Sequence, residues 1–206
     1  MSATKKIKKD DIVQAGIEII RNDGILSLNA RKIAQKLNCS TQPIFYIYSN
    51  MQDVKNDIIN VITKMFNDSI IKSNYDRIVY KDIGINYIKF AKEEPELFKV
   101  LFNSTYNMQV LSFMNLTSNL NKINDIISKQ TGLSKEKAKK FHLKMWLYVN
   151  GIANLVANNT CNFTKEEIEK LLEEQYISML LLEIQKGNIK KEILDNVLKN
   201  KLKRRD

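Results

Sequence analysis

Gln42 carries an amide, a donor and an acceptor side by side, and it sits between Thr41 and Pro43 just after Ser40. At the first turn of a helix such an amide can pair with adenine through two hydrogen bonds, and the guanidinium of Arg31 can do the same with guanine. Asn29, Lys32, Tyr46 and Lys55 place phosphate-seeking groups nearby, which fix register on a duplex without reading sequence. Ser40, Thr41 and Phe45 complete the candidate nucleic-acid-contacting set. Other chemistry is poorly supplied. His142 is the only histidine, and no Ser, Cys or carboxylate constellation accompanies it, so no catalytic site, metal centre or cofactor is expected. Cys39 and Cys161 lie far apart and outside any Cys-x-x-Cys spacing, which argues for reduced packing thiols in a cytoplasm.

The elements that must position these side chains read as helices. From Asp10, the residues Ile12, Val13, Gly16, Ile17 and Ile20 recur at helical spacing, and Gly24 is placed to stop the run. Asn29 is a good N-cap for a short helix whose inner face is Ile33, Ala34 and Leu37. After a break around Cys39, Ser40 can cap a second short helix, with Thr41, Gln42 and Pro43 in its first turn, where proline costs little. Ile44 and Tyr48 form its inner edge. A capped helix, a short break and a second helix with polar residues at its start is the layout of a helix-turn-helix. On spacing alone a plain two-helix hairpin of a bundle remains equally open.

A long helix follows from Asn50 or Met51 to about Ser73, with Ile58, Ile62, Met65, Phe66 and Ile70 inward. Further helices are predicted at about 77–93, 95–103, 107–130, 134–158, 164–186 and 188–203. No run alternates strictly enough for a strand. The expected fold is all-α: an N-terminal three-helix unit over residues 1–55, joined by a long helix to a helical bundle over residues 56–206.

Composition narrows the function classes. With 206 residues, 44% hydrophobic, 27% charged, six Gly and two Pro, the chain is neither disordered nor collagenous. No apolar run approaches the roughly 18 residues of a membrane span, and no secretory leader is visible at the N-terminus. The net charge of +10 is unevenly spread. Residues 1–50 hold eight Lys or Arg against four acids, residues 186–206 hold eight against three, and the stretch between is close to neutral. A basic first segment on a neutral body suits one part that meets a polyanion and another built for something else.

Residue identity then separates the open readings. The run from Gly24 through Ser40, continuing from Ile44 through Val54, resembles the N-terminal DNA-binding domain of TetR-family transcriptional regulators. In that family a Gly closes helix one, a Thr or Ser caps helix two, an Ile-Ala pair packs it, and an aromatic-x-His-aromatic motif leads to a Lys beginning helix four. Here those places hold Gly24, Asn29, Ile33 with Ala34, Phe45 with Tyr48, and Met51; Ile47 stands where the His is usual. Met51 in place of the Lys removes one phosphate contact, leaving the helix start and Lys55 for that task. Glu94 to Phe102, with Met145 to Leu155, is similar to a subclass carrying a Trp-x-x-x-His-Gly signature, at Trp146, Asn150 and Gly151, with Asn for His.

The resemblance implies a non-enzymatic, homodimeric repressor that leaves a palindromic DNA operator when a small apolar or amphipathic ligand enters a pocket in the body. Phe102, Tyr106, Phe113, Trp146 and Asn150 are the candidate lining residues; Trp146 and Asn150, four apart, share a helix face. Phe141, Met145, Val149, Ile152 and Val156, with the broadly apolar Ile168 to Ile184, suggest a dimer interface. Two recognition helices must in any case meet major grooves about 34 Å apart. The competing expectation is a helical lipid-binding carrier or enzyme with a greasy pocket, whose basic ends dock on anionic membrane.

Overall fold

Gly24 adopts φ 76° and ψ 167°, a region open in practice only to glycine, and there the first helix ends with the Gly24 N–H donating to the Ile20 carbonyl at 2.8 Å. The computed structural model describes residues 7–70, 80–102 and 120–202, with side chains to 198. Helix α1 (Lys9–Asp23) places acids in its first turn and Arg21 in its last, complementing the helix dipole. A 3-10 turn (Ile25–Ser27) leads to Asn29, whose Oδ1 accepts from the Lys32 N–H at 3.0 Å and so caps α2 (Ala30–Lys36).

Helix α2 ends in a left-handed residue, Asn38, with φ 52°. The Cys39 N–H donates to the Ala34 carbonyl and the Asn38 N–H to that of Gln35, at 3.0 and 3.1 Å. This paired closure satisfies the helix-end carbonyls and turns the chain sharply. Helix α3 (Gln42–Ile47) then starts with Thr41 at the cap position, making no side-chain cap bond, and Pro43 in the first turn. The expected cap at Ser40 is corrected: Ser40 is exposed and precedes the cap. The turn from Asn38 uses Ser40 as connection.

Asn50 opens α4 (Met51–Ile70), its Oδ1 accepting from the Asp53 N–H at 3.0 Å. Then come α5 (Tyr80–Glu93) and α6 (Pro95–Phe102), followed by α7 (Leu120–Thr131), α8 (Lys135–Ala157), α9 (Lys165–Gln185) and α10 (Lys191–Leu202). Thr164 and Glu167 cap α9 reciprocally, at 2.8 and 3.2 Å. Helix α10 begins at Lys191, three residues later than predicted. No strand occurs among the described residues, and the fold is all-α.

The chain divides into two compact units. The first holds described residues 7–68 and 90–102. Its core is made by Ile12, Ile17 and Ile20 of α1, Ile33 of α2, Ile44 of α3 and Ile58 of α4, each at most 1% exposed; burying an isoleucine fully contributes about 2 kcal/mol. Helices α1 and α4 approach closely at Gly16, where a Cβ would fall on Ile58 Cδ1 and lie 3.1 Å from its Cγ1. Phe66 packs edge-on against Phe90 and Phe102, with centroids 5.2 and 5.1 Å apart.

The second unit holds described residues 69–70, 80–89 and 120–202. Ile123 and Ile127 of α7, Phe141 and Val149 of α8, and Leu172 and Leu180 of α9 are buried in it. This corrects the expected dimer stripe. Phe141, Met145, Val149, Ile152 and Val156 are all buried within the single chain, because periodicity finds the buried face of a helix without saying what buries it. The apolar residues that α8 leaves exposed are Leu143, Leu147 and Leu155, at 46%, 59% and 40%. They recur at multiples of four and so share a face.

Candidate functional site

The three short elements α1 to α3 hold the polar set outward by anchoring the opposite side. Ile44 is fully buried and Tyr48 nearly so. The Lys9 ammonium lies 5.5 Å from the Tyr48 ring centre and pairs with Asp57 of α4 at 2.6 Å. That ammonium holds the Asp57 carboxyl below its usual range, and burial raises the Tyr48 hydroxyl. Tyr48 is thus pinned between α1 and α4, which fixes the rotation of α3.

With Ile44 and Tyr48 inward, Gln42, Phe45 and Tyr46 point to solvent, Tyr46 at 77% exposure. The Gln42 Nε2 donates to the Tyr46 hydroxyl at 2.6 Å. Arg31 is exposed on α2 and makes no ion pair among the described residues. Lys32 pairs with Asp23 at 2.8 Å and Lys36 with Glu18 at 2.6 Å. Both pairs lie at the solvent-exposed surface, where water and salt screen them. Asn29 is committed differently: its oxygen accepts from Lys32 and its nitrogen donates to the Ser27 carbonyl at 3.2 Å. Its amide serves the cap. Thr41 and Lys55 are half-buried, and Ser40 is exposed.

Sequence reasoning missed one strut in this unit. Arg21, in the last turn of α1, donates from Nε and Nη2 to the two carboxylate oxygens of Glu94 at 2.7 and 2.8 Å. Glu94 precedes α6, and its carbonyl accepts from the Phe98 N–H. The pair raises the Arg21 guanidinium further above its ordinary value. Residues far apart in sequence carry no local signal of such a fork.

In the second unit, α5, α8, α9 and α10, with Gln130 of α7, line a partly open cavity of about 1060 Å³. Trp146 and Asn150 meet at one atom: the Trp146 Nε1 donates to the Tyr87 hydroxyl at 3.3 Å, and that hydroxyl donates to the Asn150 Oδ1 at 2.9 Å. Nearer the start of α5, the Tyr80 hydroxyl and His142 Nδ1 are 2.8 Å apart, with Tyr176 packed beside Tyr80. Burial pushes His142 down to about 4 and the Tyr176 hydroxyl up to about 12, and it also raises Tyr80 and Tyr87. These four side chains are therefore uncharged near neutrality.

Of the expected lining residues, Trp146 borders this cavity and Asn150 braces its wall through Tyr87. Phe102 belongs to the aromatic cluster of the first unit, with Phe66 and Phe98, and is not among the residues lining the cavity. Tyr106 and Phe113 lie outside the described residues. Tyr80, Tyr87 and Tyr176 were missed because an aromatic at helical spacing is indistinguishable from core until its neighbours are known. Among the described residues no group of side chains is arranged to hold a metal ion, and no helix is long and apolar enough to cross a membrane.

No protein-family model and no curated protein matches the chain in sequence. Solved structures do match in shape. A transcriptional regulator from Rhodococcus sp. Rha1 aligns with a TM-score of 0.64 at 11% identity, over 85% of this chain and 97% of that one. BioQ, solved with its double-stranded DNA operator, aligns at 0.53 and 15% identity, over 82% and 98%. A TetR variant from Acinetobacter baumannii AYE in complex with minocycline aligns at 0.51 and 11%, over 87% and 98%. The chain has the all-α fold of TetR-family transcriptional regulators.

Proposed function

We propose that this chain is a TetR-family transcriptional regulator: a homodimeric repressor that binds a palindromic operator and leaves it when a small apolar or amphipathic ligand occupies the second unit. The observation carrying the reading is the anchoring of α3 by Ile44 and Tyr48, which turns Gln42, Phe45 and Tyr46 outward beside the exposed Arg31. In this reading Gln42 and Arg31 read base edges, while Tyr46, Lys32 and Lys55 meet phosphate. The N–H groups at the start of α4 supply an anion site where Met51 stands. Ser40 and Thr41 border the same surface; Asn29 acts through the cap. In this reading residues 1–55 are the DNA-binding part and residues 56–206 the ligand-binding part, although residues 56–68 and 90–102 pack within the first compact unit.

The fold neighbours support the assignment, since BioQ was solved on its operator and the Acinetobacter protein with a small molecule. Dimerisation follows from the need to place two recognition helices in successive major grooves. The exposed Leu143, Leu147 and Leu155 of α8, with Leu181 and Leu182 of α9, supply an apolar surface suited to a second copy. Ligand then acts by population shift, favouring a conformer in which the two recognition helices no longer match the groove repeat.

The test is selection of bound fragments from random duplex DNA, followed by titration across salt. Operator affinity should fall steeply and linearly in log–log form as salt rises, and sequence preference should survive at moderate salt. Failure to bind any duplex by the folded, ligand-free protein sinks the reading. A ligand that saturates the cavity without changing operator affinity sinks the release mechanism.

A further inference from the structure

Phe45 takes no part in the base and phosphate contacts proposed for α3, yet its ring is 46% exposed on that six-residue helix. Its neighbours on the helix are polar. Gln42 and Tyr46, bonded at 2.6 Å, mark the line of α3 that faces away from the buried Ile44 and Tyr48. Phe45 follows Gln42 by three residues, which sets it about 60° around the helix and about 4.5 Å further along the axis. Side chains three apart are neighbours on a helix surface. Ile47, 38% exposed, stands about 140° around from Gln42 and shares no flank with it.

A benzyl side chain offers a base neither a donor nor an acceptor. On the major-groove edges of the base pairs the one apolar group is the C5-methyl of thymine, and phenylalanine is among the side chains that contact it. Base pairs along a duplex are about 3.4 Å apart. The axial offset from Gln42 to Phe45 is thus close to one base-pair step. The surroundings favour a duplex over an apolar partner. Helix α2 carries Arg31, Lys32 and Lys36 on the surface of the same unit, and a partner without anions would desolvate these cations at a cost, whereas phosphates neutralise them.

We propose that Phe45 reads the C5-methyl of a thymine in the base pair next to the adenine that Gln42 pairs with, as a specificity-determining residue of the operator surface. The inference rests on the DNA-binding reading and adds to it a thymine at a fixed place beside that adenine.

Deoxyuridine differs from thymidine on this edge by the methyl alone, so duplexes in which each thymine of one operator half-site is replaced in turn by uracil test it on the full chain. Replacement at one thymine, beside the pair at which Gln42→Ala loses discrimination, should weaken binding about fourfold, the worth of burying one methyl-sized group. In Phe45→Ser the thymine and uracil duplexes should bind alike at that position. Phe45→Leu, which keeps an aliphatic contact, should retain part of the preference, and it carries the comparison if Phe45→Ser binds too weakly to measure. A merely structural role would lower affinity for both duplexes by one factor and leave their ratio unchanged. No penalty from uracil at any thymine of the half-site, or a penalty that Phe45→Ser and Phe45→Leu leave unchanged at every one, overturns the inference while duplex binding stands. Failure of the unmodified chain to bind any duplex overturns the regulator reading and this inference with it.

Discussion

Gln42 and Tyr46, one turn apart on the six-residue helix α3, are joined by a hydrogen bond of 2.6 Å from the amide nitrogen to the phenol oxygen. An exposed glutamine otherwise samples many rotamers and both amide orientations. The bond restricts it, leaving the amide oxygen and the second amide hydrogen for a base. Gln42→Ala should therefore cost about 1–3 kcal/mol of discrimination at one base pair. Tyr46→Phe should lose part of that discrimination while retaining the ring. Competition between the selected operator and single-base variants of it measures both, and a uniform loss of affinity in Tyr46→Phe would mean that the bond to Gln42 does not position the amide for base reading.

Arg31→Ala and Lys55→Ala should behave differently from each other. On the proposed reading the exposed guanidinium of Arg31 pairs with a base, so its loss should relax preference at one position by about 1–3 kcal/mol. Loss of Lys55 weakens all sequences alike and reduces the salt slope by about one. Affinities across a salt series on specific and scrambled duplexes separate the two, and identical behaviour contradicts the assignment.

The fork between Arg21 and Glu94 should be worth about 1 kcal/mol to the first unit, with both side chains partly exposed at 38% and 23%. Glu94→Ala should lower the urea midpoint accordingly. Reversing both charges, with Arg21→Glu and Glu94→Arg together, should recover part of the loss that either reversal causes alone. Additive losses in that cycle would mean the two groups do not interact in solution.

Gly16→Ala pits about 1 kcal/mol of helix propensity against the clash with Ile58. Overpacking commonly costs about 1–3 kcal/mol, and Ile58 is fully buried with little room to turn, so net destabilisation is expected. Adding Ile58→Val, which removes the obstructing Cδ1 methyl, should make Gly16→Ala neutral or stabilising. Thermal unfolding of the single and double variants decides it; an equal cost of Gly16→Ala in both backgrounds would contradict the geometry.

His142 resists protonation in the folded chain, with its imidazole held near 4, whereas the unfolded chain protonates near 6.5. Between those values the unfolded state binds more protons, so stability rises with pH there. It is complete above about pH 6.5 and falls as acid is added, by at most about 3 kcal/mol at pH 4. His142→Phe should show a shallower loss of urea midpoint from pH 7 to pH 5 than the unmodified chain. Parallel slopes would contradict the burial argument.

Leu147→Glu should convert a dimer to monomer in sedimentation while leaving the helical content unchanged, since Leu147 is 59% exposed in the single chain. Met145→Glu, two residues away, should instead unfold the second unit, because Met145 is buried. A dimer that persists in Leu147→Glu would place the interface elsewhere.

Much of the local architecture can be read from the chain alone. The stop at Gly24, the cap at Asn29, the proline in the first turn of α3, the break between Glu93 and Pro95 and the reciprocal cap at Thr164 are settled by residues within a turn of each other. So is the inward placement of Ile58, Ile62, Phe66 and Ile70 on α4. Short-range hydrogen bonding and helical period need no knowledge of the rest of the molecule.

Which surface each helix gives to which neighbour was decided only in three dimensions. Phe141, Met145 and Val149 make one apolar stripe of α8, and Leu143, Leu147 and Leu155 make another; sequence could not tell which one the chain itself would cover. Phe102 and Trp146 both read as candidate pocket aromatics, yet one packs with Phe66 and Phe98 and the other bonds to Tyr87. The pairing of Arg21 with Glu94 and the cavity among α5, α8, α9 and α10 are of the same kind. The physical reason is that burial and side-chain pairing depend on residues dozens of positions away, so they exist only once the helices have packed.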